Sequence, residues 1–273
     1  MIPMLHSAIV VLNRRMTNDP ALRPLTPRSI VLSVLLGSHP PAMPVGRLVE
    51  FTSLFGIPAG TVRTAMSRMV AAGELQADDG VYRLAGAHLV RQAEQDAGRV
   101  APPAAWDGSW WFAVVTAERR TVTERREFRA RALGARFGEL RPDTWMRPAN
   151  IDVPTDLADV LLTRGPLLVG DAAHLVSQLW NLDELDDQAR ELAAQLRDAA
   201  AHLERSGDDA ALVDAFVTLA ACQRFLRTEP QLPADLVASR SSGDLRQDYA
   251  GTVDAFQRRL REFFDRQGRS VAQ

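Results

Sequence analysis

Five side chains on one short stretch, Thr61, Arg63, Thr64, Ser67 and Arg68, are of the types that hydrogen-bond phosphate oxygens and base edges in a DNA major groove. Hydroxyls donate to phosphates, and an arginine fork can bridge two acceptors of a guanine. Their spacing gathers them. Val62, Met66, Met69 and Val70 stand at offsets of four, seven and eight, which is the apolar stripe of a helix, and the polar five occupy its other side. No acidic residue follows until Glu74. A solvated face on an ordinary amphipathic helix is the plain reading of this pattern, and DNA contact is the reading its chemistry adds.

A second concentration of chemistry lies at Arg119, Arg120, Arg125, Arg126, Arg129 and Arg131. Guanidinium forks match phosphate geometry, so these could receive the phosphates of DNA or of a phosphate-bearing ligand. Glu118, Glu124 and Glu127 interleave with them, which also describes a salt-bridged, solvated helix. Trp106, Trp110, Trp111 and Trp145 read as packing, or as a wall for an aryl group, with Arg125, Arg126, Arg129 and Trp145 the candidate ligand set. His6, His39, His88, His174 and His202 are too scattered for metal ligation. No Gly-rich phosphate loop, nucleophile elbow or paired catalytic carboxylates occur, so neither catalysis, a cofactor nor a metal is expected.

Several elements must position the polar helix. Thr26-Pro27 predicts an N-cap and first turn for a helix through Ile30, Val34 and Leu36, and a second helix is expected over about 45–55. Gly56-Ile57-Pro58 turns into the polar helix, which ends at Gly73. Leu75 to Leu84 then reads as two strands around an Asp-Gly turn, with Arg83 on the second. Three helices and a hairpin over 25–86 have the size and order of a winged helix-turn-helix domain, with 1–24 an unstructured extension.

A polar helix over 87–100 and a linker through Pro102-Pro103 lead to an apolar strand ending at Val115. A helix over 121–137, strand pieces at 138–140 and 144–148, a helix over 156–163 and a strand at 167–169 complete a strand-helix alternation. Residues 106–172 therefore read as a ferredoxin-like α+β domain. From 173 to 273 the pattern is helical, with long helices expected over 182–205, 209–227 and 244–267. The fold class is α+β.

The bulk composition fits this organisation. The chain has 273 residues, 46% hydrophobic and 24% charged, and net charge −2, so global disorder is excluded. Residues 1–85 hold eight arginines against five acidic residues, whereas 181–273 hold twelve against seventeen. A basic front on an acidic body suits a protein whose N-terminal part alone meets nucleic acid. Cys222, the sole cysteine, reads as a core residue, which removes any disulfide framework. The apolar patch Ala8–Leu12 is too short for a membrane span, and with no basic residue before it and no clear cleavage site after it no signal peptide is expected; Met16 is an alternative start. A cytoplasmic location is expected.

Several segments together resemble the PaaX family of bacterial transcriptional repressors. They are Leu25–Ser38, Val62–Gly73, Trp106-Asp-Gly-Ser-Trp110, Gly138-Glu-Leu140 and Trp145-Met-Arg-Pro148. The resemblance implies a homodimer with a winged-helix, a ferredoxin-like and a helical C-terminal part. It implies an operator-bound repressor of an aromatic, phenylacetate-like catabolic operon, released by an aryl-acetyl-CoA such as phenylacetyl-CoA. Residues 235–244 depart from the family's Trp-Pro-Gly element. The middle segment is also similar to the small ferredoxin-like nucleases of CRISPR systems. Those carry an aspartate at the end of the first strand, where this chain has Thr116-Ala117-Glu118. The alternatives are a catalytically inactive nucleic-acid-binding scaffold and an enzyme acting on acyl-CoA.

Overall fold

The computed structural model describes residues 25–101, 106–117, 119–155, 159–237 and 241–271. The expected extension over 1–24, part of the Pro-rich linker and Glu118 lie outside them. The fold is α+β: two antiparallel sheets and, among the described residues, nine helices, with a helical C-terminal region. By packing, the chain gathers into two compact units. One comprises Met1–Ala97, Leu192–Gln223 and Asp248–Gln273, the other Gly98–Glu191 and Arg224–Gln247. Residues 173–273 thus contribute to both.

The first unit opens with α1 (Pro27–Leu36). Thr26 caps it in a reciprocal box with Ser29, and the proline stands in the first turn, as its sequence predicts. A three-residue strand β1 (Ala42–Pro44), which the sequence did not signal, precedes α2 (Val45–Ser53) and α3 (Ala59–Ala71). The hairpin follows as β2 (Leu75–Asp78) and β3 (Val81–Leu84), paired antiparallel with Leu75 opposite Leu84. Asp79 and Gly80 take φ of 44° and 73°, the left-handed pair that a two-residue hairpin turn requires. Because β1 also pairs with β3, β3 is the central strand.

The core of this unit joins Ile30, Val31 and Leu35 of α1, Leu48 and Phe51 of α2, and Val62, Met66 and Met69 of α3 to Leu75 and Leu84 of the hairpin. Phe51 stacks edge-on against Phe216 and Phe256 at centroid distances of 5.2 and 6.3 Å. These phenylalanines belong to α8 (Ala210–Thr228) and α9 (Ser242–Val271). Burying aromatic rings of this size dominates such a core. The helix α4 (Ala87–Arg99) hydrogen-bonds through Gln92 to the carbonyls of Leu36 and Ser38. Cys222 is fully buried, as its apolar neighbours predict.

The second unit is built on a four-stranded sheet in the order β5-β6-β4-β7. Its strands are β4 (Ser109–Val115), β5 (Gly138–Arg141), β6 (Thr144–Pro148) and β7 (Val160–Pro166). The helix α5 (Val122–Gly134) connects β4 to β5. It is capped by Thr121 and Glu124 and ends three residues before the expected Phe137. One expectation fails outright. Residues 160–166 form a strand rather than the end of a helix, and 167–169 form none. Val160 and Leu162 turn inward onto the core, Leu161 turns outward, and all seven residues pair with β4. That alternation is strand-like, and the pairing partner decides it. Among the described residues no helix joins β6 to β7; residues 156–158 lie outside.

The sheet is covered on both sides. One layer joins Ala113, Trp145 and Val153 to Ala132 and Phe137. The other joins Trp110, Met146 and Leu232 to Val176 of α6 (Ala172–Leu179). The helix α7 (Leu182–Arg205) begins in this unit.

Candidate nucleic-acid interface

The helix α3 packs into the core of the first unit through one face and leaves the other to solvent. Val62 and Met66 are fully buried and Met69 nearly so, while Thr61, Arg63, Thr64, Ser67 and Arg68 are all exposed. Among the described residues, Arg63 and Arg68 make no ion pair or hydrogen bond. Neither does Arg83, which is also exposed. Thr64 Oγ1 donates to the Gly60 carbonyl at 2.9 Å, and Ser67 Oγ to the Arg63 carbonyl at 3.0 Å. Each hydroxyl must rotate to donate to a phosphate, giving up a bond that is weak in a helix interior. No acidic residue stands in the first turn, and Pro58 gives α3 no side-chain cap. Its leading N–H groups and positive dipole end therefore favour an anion.

The far end of α3 is held firmly. Gly73 at φ 70° sends its N–H to Val70, and the Glu74 N–H reaches Met69 at 2.9 Å, the paired bonds of a Schellman cap. Glu74 then accepts from Arg28 Nε at 2.9 Å, and His88 Nε2 lies 4.0 Å from the same carboxylate. Hydrogen bonding from Arg28 holds the Glu74 carboxyl below its usual range, and burial pushes the His88 imidazole down. This clamp ties α1, the end of α3 and the start of α4. The sequence offered no signal for it, because its members lie 46 and 14 positions apart.

Arg83 sits on the central strand, opposite Ala42 and Gln76, three residues from the hairpin tip. The tip itself presents Asp78, Asp79 and Gly80, all exposed. Two carboxylates there would repel a phosphate backbone, so any contact from this hairpin falls to the strand bearing Arg83.

The candidate ligand residues divide. Arg125 and Arg126 are exposed on α5 with no partner among the described residues. Arg129 pairs with Glu139 and lies over the Trp145 ring at 5.5 Å. Trp145 is only 2% exposed, with Phe128 edge-on at 5.9 Å. An aryl group could reach Trp145 only by displacing Phe128 or Arg129. Trp106 donates to the Ser109 carbonyl, and Asp107 accepts from the Ser109 N–H and pairs with Arg164. The Trp-Asp-Gly-Ser-Trp motif is thus a turn that launches β4, with Gly108 at φ 81°.

The second unit also hides a polar cluster that sequence reading missed. Arg147 is fully buried. It donates to the carbonyls of Pro148, Ala135 and Pro230 and to Asn150 Oδ1 at 3.0 to 3.3 Å. Arg136 donates to the carbonyls of Leu226 and Glu229, at the C-terminal end of α8, where the helix dipole welcomes a cation. Glu229 in turn accepts from Arg246 at 2.6 Å, with both side chains buried. Burial pushes the Arg147 guanidinium down to about 9, with Arg136 adding to the effect and Glu229 opposing it. Gly138 has a steric reason of its own: a Cβ there would stand 2.7 Å from the Leu179 Cβ and 3.1 Å from the Trp180 ring.

Among the described residues no group of three His, Cys, Asp or Glu side chains is arranged to hold a metal ion, and no helix is long and apolar enough to cross a membrane.

Comparison with known proteins bears on this surface. The family described as PaaX-like protein matches residues 26–88, and the family described as PaaX-like protein C-terminal domain matches residues 180–266. Comparison with curated proteins gives no match. Among solved structures, the chain is 34% identical to the uncharacterized protein Rv0674 from Mycobacterium tuberculosis. The likeness covers 88% of this chain and 99% of that one, with a TM-score of 0.67.

Proposed function

This chain belongs to the PaaX-like family of transcriptional regulators, and from that premise we propose that it is a DNA-binding repressor acting as a homodimer. One observation carries the reading: α3 offers Thr61, Arg63, Thr64, Ser67 and Arg68 on one exposed face, with no acidic residue from 51 to 73. Groups of this kind position a helix on phosphates and read base edges in a major groove. The three helices and three-stranded sheet around α3 support a winged helix-turn-helix reading, with Arg83 as the hairpin's contact. The order β5-β6-β4-β7, with α5 crossing from β4 to β5, supports a ferredoxin-like reading of the second unit. By role, the chain divides into a DNA-binding part over 25–86, a connection over 87–105, a middle part over 106–172 and a helical part over 173–273.

A two-fold dimer matches an inverted repeat with half-sites about 34–36 Å apart or a multiple of that. Repression is by occlusion of polymerase, in the cytoplasm, and the protein is a regulator and not an enzyme. The effector is an aryl-acetyl-CoA, phenylacetyl-CoA first, from an aromatic catabolic pathway. It acts by favouring a dimer geometry that cannot span both half-sites, and a tenfold loss of DNA affinity needs about 1.4 kcal/mol of coupling. The test is a titration of protein bound to the promoter of its own gene with phenylacetyl-CoA, acetyl-CoA, free CoA and phenylacetate. Release by phenylacetyl-CoA alone supports the effector. Equal release by every CoA species refutes acyl recognition, and release by none refutes the effector class.

A further inference from the structure

The exposed arginines of α5 lie on one side of their helix. Val122, Arg125, Arg126, Arg129 and Leu133 stand at offsets of 0, 3, 4, 7 and 11, so they share a flank, and all are exposed. No acidic residue of the helix falls at this spacing. Glu124 and Glu127 lie on the opposite flank with Arg131, and the Glu124 carboxylate is occupied by the N–H and hydroxyl of Thr121. Arg129 is neutralised by Glu139, and among the described residues Arg125 and Arg126 have no acidic partner.

We propose that this flank is a second DNA contact, a phosphate-binding strip that adds sequence-independent affinity to the sequence reading of α3. The inference rests on the DNA-binding function proposed above. An extended polyanion fits the strip because its forks project from a helix surface into solvent. An aryl-acetyl-CoA must also bury its aryl group, and the ring beneath this strip, Trp145, is already covered by Phe128 and Arg129. Exposed guanidiniums bind phosphate by releasing condensed counterions, so the strip should register in the salt dependence of binding.

The experiment measures affinity by fluorescence anisotropy from 50 to 200 mM salt, with the full chain. It uses its own promoter duplex and a random duplex, and compares wild type with Arg125→Ala/Arg126→Ala and Arg125→Lys/Arg126→Lys. If each arginine meets one phosphate, the alanine pair lowers the slope of log K against log salt by about 1.8 and weakens both duplexes equally, while the lysine pair keeps the slope. Between the two salt limits, wild type then loses about twelvefold more affinity than the alanine pair. An unchanged slope with unchanged affinity overturns the proposal. So does loss of phenylacetyl-CoA response with an intact slope, which would assign the strip to the effector. Loss of α3 reading is a separate result: wild type would bind both duplexes alike, with only the Arg125/Arg126 pair mattering. Wild type that binds neither duplex refutes both.

Discussion

Arg147→Met removes the group that ties together three separate parts of the second unit: the end of α5, the end of β6 and the chain after α8. Four acceptors lose a donor at 3.0 to 3.3 Å inside a buried site. Leaving a buried acceptor unmet costs about 1–3 kcal/mol, and at the low end four amount to roughly 4–6 kcal/mol. Part of this is offset, because the substitution also deletes a charge that burial disfavours strongly enough to bring the guanidinium down to about 9. We expect a net loss of about 3–5 kcal/mol, a large share of the stability of an ordinary domain. Calorimetry should show the corresponding transition lowered by roughly 6–20 °C. Arg147→Lys should do no better, since a point charge cannot serve three carbonyls from one planar fork. A Met variant melting within about 2 °C of wild type would refute the reasoning, because the four bonds would then have no net worth.

Gly138→Ala forces a Cβ to 2.7 Å from the Leu179 Cβ and should cost about 1–3 kcal/mol, read as a lowered melting temperature; an unchanged value would mean that α6 shifts freely. The pH dependence of the first unit has a definite sign. Burial lowers the folded pKa of His88, so the unfolded chain binds more protons below about 6.5, and stability falls as pH drops through that region. His88→Gln should flatten that part of a pH–melting profile, and a variant that still tracks wild type would refute the assignment. Glu74 acts lower: its depressed carboxyl contributes stability above the usual carboxylate range and loses it as pH falls through its folded pKa. Arg28→Ala should remove that acid-side loss, and an unaltered acid limb would count against the clamp.

Local chemistry was legible where it was self-sufficient. Thr26-Pro27, Gly73 and Asp79-Gly80 each specify a cap or turn within a few residues, and α3 announced both its faces through apolar periodicity. Readings failed where a distant partner decides. Residues 160–163 have no strong period, and only pairing with β4 makes them a strand. The strand over 144–148 was expected, but its last four residues are all buried, and nothing local in the sequence shows that Arg147 is among them. The same layering hides Trp145, which reads most simply as packing but also as a ligand wall until Phe128 is seen against it. Of the interface, the sequence showed the residue types on α3 but not that Arg83 belongs to a central strand.

The central claim is that α3 contacts DNA, and the most direct measurement is the affinity of Arg63→Ala and Arg68→Ala for the promoter duplex beside a random one. Both side chains are exposed and free of partners among the described residues, so neither substitution should disturb folding. An arginine bidentate to guanine should cost about 1–3 kcal/mol, or roughly 5- to 150-fold, and its loss should narrow the preference for the promoter. Unchanged affinity and preference in both variants would contradict the account.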